Sequence, residues 1–440
     1  MERIMHYIWQ HRLFVRPGLA TVSGQRLSVI DPGTANNDSG PDFFNAKVKI
    51  GPQTWAGNVE IHIRASDWFR HNHHTDSAYD SVVLHVVGID DSRIQRPDGS
   101  EIPQFVMPYT PEIEMSYRRL ASEAGGQMPC LAHAIQMPPI AIQSWIDALA
   151  YERLYDKSAR MLNLLKRYNG DWETVAYIAT ARALGFGINA EPFERLATSL
   201  PLSIIRKHAD SLLSVEAMLF GQAGLLPDET AAPGHYTAAL KNEYAHMANK
   251  FRLTPLQSPG WKMARTRPGN FPHRRIALLA SMLHGGFSLM SKLTAVRTPE
   301  QASALFQPAL SAYWQNRFSF TQTKPQQQNA SEHPAMSRQS TDIVVINTVA
   351  PLLHAWGTVT SCCQAQETAV ELLQQIKPEN NSLTRRFTDA GIKCPDAFTS
   401  QALIQLFRCY CETRKCLYCR IGHSHMRSEL RQHAPQTNNR

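Results

Sequence analysis

The densest run of chemically active side chains lies between residues 38 and 85. It reads DSGPDFFNAKVKI and, further on, WAGNVEIHIRASDWFRHNHHTDSAYDSVVLHVV. Asp42 follows a Gly-Pro turn at the start of a predicted strand. Glu60 and His62 stand two apart on the next strand, so alternation sends both side chains to one face of the sheet. Asp67, His71, His73, His74 and Asp76 follow in a polar segment, and His85 lies on another strand among apolar neighbours. Carboxylates and imidazoles in so short a run are the donors that bind divalent cations and move protons. Two readings stand side by side: a metal site using Asp42, Glu60 and His62, or a turn carboxylate beside an exposed strand face. The 71–74 segment alone reads as surface loop and His85 as a core histidine. A third arrangement would use His62, His73 and His85 with Glu60 inside a β-barrel.

A second group of donors is Cys409-Tyr-Cys411-Glu-Thr-Arg-Lys-Cys416-Leu-Tyr-Cys419. The C-x2-C spacing of Cys416 and Cys419, with Cys411 upstream, is that of a metal hook, and Cys409 or Cys394 would complete it. Zinc fits this spacing, and so does an iron–sulfur cluster. The alternative is a terminal helix with reduced, partly buried thiols. Eight cysteines in 440 residues are too few for a secreted disulfide scaffold.

The third group is the stretch WKMARTRPGNFPHRR, which sets Arg265, Arg267, Arg274 and Arg275 beside Trp261 and Phe271. Arginines among aromatics suit phosphate and base contact, so nucleic acid is an expected partner. A Pro-Gly loop whose arginines cap neighbouring helices is the competing reading. Residues 261–297 carry seven basic side chains and no acidic one, whereas residues 1–110 carry ten basic against twelve acidic. The net charge of +8 is therefore concentrated behind an acidic front. No P-loop, G-x-S-x-G or G-x-G-x-x-G is present, which excludes the signatures of NTPases, α/β-hydrolases and dinucleotide enzymes.

The elements that must position these residues divide the chain. Residues 26–30, 46–50, 58–63 and 81–87 alternate or run apolar with β-branched enrichment, and Gly-Pro punctuation separates them. From residue 140 the apolar period becomes helical, as it is again over 172–184, 202–220, 235–251 and 276–293. These patterns predict an α+β protein: a β-rich or α/β domain over 1–115, then a mostly α-helical remainder. The remainder comprises a helical domain over 136–320, a polar linker or loop over 321–341, and a helical segment over 342–440 with the cysteines. No apolar run reaches the roughly 18 residues of a membrane span; the nearest, 276–290, is broken by His284 and two glycines. The first residues lack the apolar core of a signal peptide. The expected setting is cytoplasmic, with no membrane partner.

Pro41-Asp42 followed by Glu60-x-His62 on a strand resembles the PD-(D/E)xK, restriction-endonuclease-like nuclease superfamily. The resemblance implies that Asp42 and Glu60 hold Mg²⁺ or Mn²⁺, with His62 standing where that superfamily places a lysine that orients water. A wider resemblance rests on GPDFFNAKVKI, GNVEIHIRASDW, AYDSVVLHVV, EAMLFGQAGLL, RTRPGNFPHRRIA, INTVAPLLHAWG and YCETRKCLYCRIG. Together these are similar to an uncharacterised bacterial domain-of-unknown-function family, number 2851. It implies that Glu60-x-His62 and the Cys411, Cys416, Cys419 trio belong to a family pattern, but it brings no reaction. The expectation is a metal-dependent nuclease-like phosphodiesterase with the arginines on substrate phosphates. The rival is a non-catalytic nucleic-acid- or protein-binding factor with a structural zinc.

Overall fold

Strand β3 (Phe43–Ile50) shows how the sheet forms. Its apolar positions alternate, and Phe43, Ala46, Val48 and Ile50 are all buried. The computed structural model describes residues 2–14, 18–36, 39–96, 98–108, 114–115, 117–118, 128, 130–227, 232, 234–257, 260–264, 266–323 and 335–433. Among these, six strands make one mixed sheet. β1 (Leu27–Asp31), β3 and β4 (Gln53–Arg64) run antiparallel, and the two-residue β2 (Thr34–Ala35) also pairs with β3. β5 (Val82–Ile89) lies parallel to β4, and β6 (Gln104–Val106) parallel to β5. The strand order is therefore β1-β3-β4-β5-β6.

Helix α1 (Glu2–His11) is an element that the sequence reading passed over. Its Ile4, Met5, Ile8 and Trp9 enter one core with Phe43, Val48, Val59, Ile61, Leu84 and Val86. Leu417 and Met426 belong to the same core, so the last segment of the chain completes the N-terminal fold. The compact units divide accordingly: Met1–Pro138 with Cys409–Arg440 forms one, and Pro139–Arg408 the other. The cysteine segment is thus part of the sheet unit, whereas the sequence reading grouped it with the helices before it. A separate small cluster (Trp68, Tyr79, Val82, Ile94 and Ile102) packs beside the β4–β5 crossover.

The second unit is helical, and its elements follow the sequence periodicity closely. Trp172–Leu184 and His235–Phe251 have the predicted bounds. The apolar stretch from 276 is instead two helices, Pro272–Leu283 and Leu289–Leu293, because Gly285 and Gly286 both take positive φ and end the first. The stretch 202–220 likewise divides into Leu202–Arg206 and Leu212–Gln222. The polar segment read as a linker falls partly outside the described residues, and its last four residues open the helix Arg338–Val344. Arg338–Thr360 is helical throughout and is long and apolar enough to cross a membrane, contrary to the expectation that no run reaches that length. Two thirds of its most apolar window is buried inside the protein, as in a core helix.

Candidate metal centre

β4 carries the first two donors. Val59 and Ile61 face the apolar core, so Glu60 and His62 fall on the opposite face, and both are buried. The chain then turns through the helix Asp67–Arg70 and a left-handed residue, Asn72, whose φ is 62°. Asparagine tolerates that conformation better than most residues. The reversal returns His71 and His73 toward β4. His62 Nε2 lies 3.1 Å from His71 Nδ1 and 3.5 Å from Glu60 Oε1. His73 Nε2 lies 3.3 Å from the same carboxylate oxygen. Donor atoms of His62, His71 and His73 all fall within 4.8 Å of one another, and no other described set of three metal-binding side chains does so.

These separations are informative. Four ligands about 2.0–2.1 Å from a tetrahedral ion stand about 3.3–3.4 Å apart, by simple geometry from ordinary Zn–N and Zn–O bonds. The observed 3.1, 3.3 and 3.5 Å, three of the six edges of such a set and also ordinary polar-contact distances, bracket that length.

Burial acts on the protonation of His62, His85 and Glu60. Burial, and then the neighbouring imidazoles of His85, His73 and His71, pull His62 down to about 2. Burial likewise takes His85 to about 3. Both rings are therefore neutral near neutral pH and offer lone pairs. His62 Nδ1 lies 2.9 Å from His85 Nε2, so a cation on His62 Nε2 would leave Nδ1–H to donate to His85. An orienting bond of this kind typically supports a metal-binding histidine. Burial raises the pKa of Glu60, an effect that its contact with His73 partly offsets. His73 stacks on Tyr79 with ring centroids 3.8 Å apart, and the Trp68 edge lies against His73 and His85. Three imidazoles and a carboxylate, drawn together with aromatic rings beside them, form a cluster rich in metal-binding donors. A divalent cation suits it.

Asp42 is brought beside this group but is not one of its converging donors. Its backbone N–H donates to Glu60 Oε2 at 3.0 Å, and its Oδ2 accepts from the Ile61 N–H at 2.9 Å. This clasp joins the start of β3 to β4, next to the register shift between Phe43 and Ala46. His6 Nε2, from α1, lies 3.2 Å from the same Oδ2. Burial works against protonation of His6, yet the Asp42 carboxylate outweighs it and the His6 pKa is raised.

The arginines belong to the helical unit. Arg265 lies outside the described residues, and Arg267 is exposed. Arg274 is buried, and its Nη1 donates to the carbonyls of Trp314 (2.7 Å) and Arg317 (3.2 Å), which ties it to the fold. Arg275 is buried with its guanidinium 4.7 Å over the Phe186 ring. Burial, and then Arg274, pull its pKa down to about 9.

Among the cysteines none is disulfide-bonded. Cys411 ends a π-helical turn, Leu406–Cys411, and Cys416–Tyr418 forms a 3₁₀ turn that closes with the Cys419 N–H 3.3 Å from the Cys416 carbonyl. Gly422 approaches so closely that a Cβ would meet the Cys416 carbonyl oxygen at 2.4 Å. The remaining thiol beside them is Cys130, which precedes the short helix Leu131–Ala134 and packs with Cys416 against the sheet core. His133 Nε2, one turn on, lies 3.0 Å from Ser424 Oγ on the helix that follows Cys419. Burial and the sulfurs of Cys419 and Cys416 raise the Cys130 thiol to about 12, and burial with the sulfurs of Cys419, Cys130 and Cys416 raises Cys411 further. No spacing pattern marks this neighbour, which lies far from the cluster along the chain. His71 and Tyr79 were also missed as partners; only the dense histidine spacing after Glu60-x-His62 hinted at the first.

A mixed sheet bearing a histidine–carboxylate cluster, joined to a helical unit, defines an α+β protein with a candidate mononuclear metal centre. The chain belongs to the family described as Protein of unknown function (DUF2851), whose model matches residues 2–382. The match includes the histidine–carboxylate cluster and the arginine stretch. It stops before the cysteine segment, which the sequence resemblance had included. No curated protein and no solved structure matches the chain.

Proposed function

We propose that this protein is a metal-dependent hydrolase acting on phosphodiesters, with one divalent cation held by Glu60, His62, His71 and His73. The convergence of the three imidazoles, with Glu60 against His62 and His73, carries the reading. Three imidazoles and one carboxylate favour zinc, manganese or iron over magnesium, which takes oxygen ligands and keeps its waters. Such an ion supplies a water of lowered pKa and a Lewis acid for a phosphoryl oxygen. His85 orients His62, and Asp42 with His6 sets a carboxylate–imidazole pair beside Glu60, placed to position or accept a proton. The choice of phosphodiester rests on the Pro41-Asp42 … Glu60-x-His62 order. Nothing in this reading needs the arginines.

Elemental analysis of the purified protein, paired with a nuclease and phosphodiesterase assay, tests it. About one transition-metal ion per chain is expected at this site, lost in His71→Ala. Glu60→Gln keeps the shape of the side chain but removes the charge that attracts the ion. Activity should fall by roughly two orders of magnitude or more, while the melting temperature changes little. A wild-type protein with no metal-dependent cleavage of DNA, RNA or a model phosphodiester sinks the enzymatic reading.

The neighbourhood of Cys130 supports a second ion, a structural zinc on Cys130, Cys411, Cys416 and Cys419, whose sulfurs would draw in on binding because no three of them lie within 4.8 Å of one another without it. Cys409 and Cys411 are two apart on a helical turn and so point to opposite sides, which makes Cys130 the better fourth ligand. A structural zinc serves the rival binding-factor reading equally well, so the histidine site is what separates the two.

A further inference from the structure

The helical unit holds a cavity of about 650 Å³ that the hydrolase reading leaves unused. Its wall includes Phe186, Arg267, Asn270, Arg275, Ser337 and Ser340, and no carboxylate lines it among the described residues. Arg275 is only 2% exposed, yet its Nε and Nη1 have no hydrogen-bond partner. Its other terminal nitrogen donates to the Asn270 side chain, and its face covers Phe186. A buried guanidinium with unmet N–H groups is costly unless an anion completes it.

We propose that this cavity binds the phosphoryl group of a small phosphorylated molecule, with Arg275 as its buried anchor. A carboxylate can spend both of its oxygens on one guanidinium, whereas a phosphoryl group, with three or more oxygens set tetrahedrally, can meet the unmet Arg275 donors together with a hydroxyl and a second guanidinium on the wall. Ser337 Oγ donates to Ser340 Oγ, which leaves the Ser340 hydroxyl proton to offer to an anion, and exposed Arg267 adds charge on the wall. The volume suits a ligand of mononucleotide size, and Phe186 and Phe318 supply apolar surface for its non-phosphate part. The depth of Arg275 separates this site from a surface track for a polynucleotide backbone.

The test uses the full chain and follows its melting temperature and calorimetric binding with inorganic phosphate, adenosine monophosphate and a single-stranded oligonucleotide. Chloride at equal ionic strength is the control. The melting temperature should rise with each decade of phosphate or mononucleotide once the dissociation constant is passed. Arg275→Met should bind at least about tenfold more weakly, matching the loss of charge-assisted hydrogen bonds. Without ligand it should be as stable as the wild type or more so, because an unpaired buried charge has been removed. Arg267→Ala leaves the core untouched and should weaken binding several-fold, which keeps the test open should Arg275→Met not fold. No stabilisation of wild type by about 10 mM phosphate or mononucleotide overturns the proposal. Undiminished binding in both variants, or binding of the oligonucleotide alone, does so too.

Discussion

The histidine group and the cysteine group both belong to the sheet unit, yet they are assembled in opposite ways. Glu60, His62, His71 and His73 come from one strand and the turn that follows it. Strand alternation and a single left-handed residue, Asn72, bring them together. The thiols come from two places: Cys411, Cys416 and Cys419 from the last segment, and Cys130 from a short helix in the first. The first group depends on local backbone geometry. The second depends on the chain end returning to the sheet core through Leu417 and Met426. A donor set of the first kind should lose its ion without losing the fold, whereas one of the second kind ties two distant segments and should lose both together.

Cys130→Ser is the sharpest way to break that contrast, and the largest effect is expected there. Structural zinc in small domains contributes free energy on the order of 10 kcal/mol, so losing a ligand should cost several kcal/mol and release zinc. Elemental analysis and a chemical melt check this. If Cys130→Ser retains zinc while Cys409→Ser loses it, the assignment of the fourth ligand is wrong.

Gly422→Ala sharpens the same side of the comparison. A Cβ would press on the Cys416 carbonyl at 2.4 Å, and backbone on both sides leaves little room to relax. A loss of about 2–3 kcal/mol is expected from the forced shift, with weaker zinc retention. A variant as stable as wild type would show that the Cys416–Cys419 turn is not held by this close approach.

His85→Ala probes the histidine side. His85 is not one of the converging donors but holds the far nitrogen of His62 at 2.9 Å, so metal affinity should fall by roughly 10–100-fold. Metal titration with competing chelators measures this. His85→Gln, whose amide can still accept from His62 Nδ1–H, should recover part of the loss, which a purely space-filling role would not predict. Cys409→Ser completes the series with the smallest effect, within about 0.5 kcal/mol and with zinc retained.

Much of this architecture was legible in the residues. Alternation marked β3 and β4 and a continuous apolar run marked β5, and alternation correctly placed Glu60 and His62 on one face. The helical period gave Trp172–Leu184 and His235–Phe251 their bounds. Helix α1 escaped because its Glu2, Arg3, His6 and His11 mask a stripe that becomes apolar only when Ile4, Met5, Ile8 and Trp9 meet the sheet. Arg274 looked equivalent to Arg275 in sequence. The structure spends Arg274 on two backbone carbonyls and leaves Arg275 with unmet donors.

The amino-acid sequence by itself determined the strands, most of the helices and the chemical type of each cluster, since these follow from residue spacing over one or two turns of local structure. Tertiary structure alone decided that His71 and His73 join Glu60 while Asp42 clasps the backbone beside them. It also decided that Cys130 sits with the distant thiols, and that the end of the chain belongs to the sheet. The reason is physical. Periodicity records which face of an element is apolar, whereas the meeting of polar donors depends on where a turn reverses and which remote segment fills the core, and neither leaves a repeating mark in the sequence.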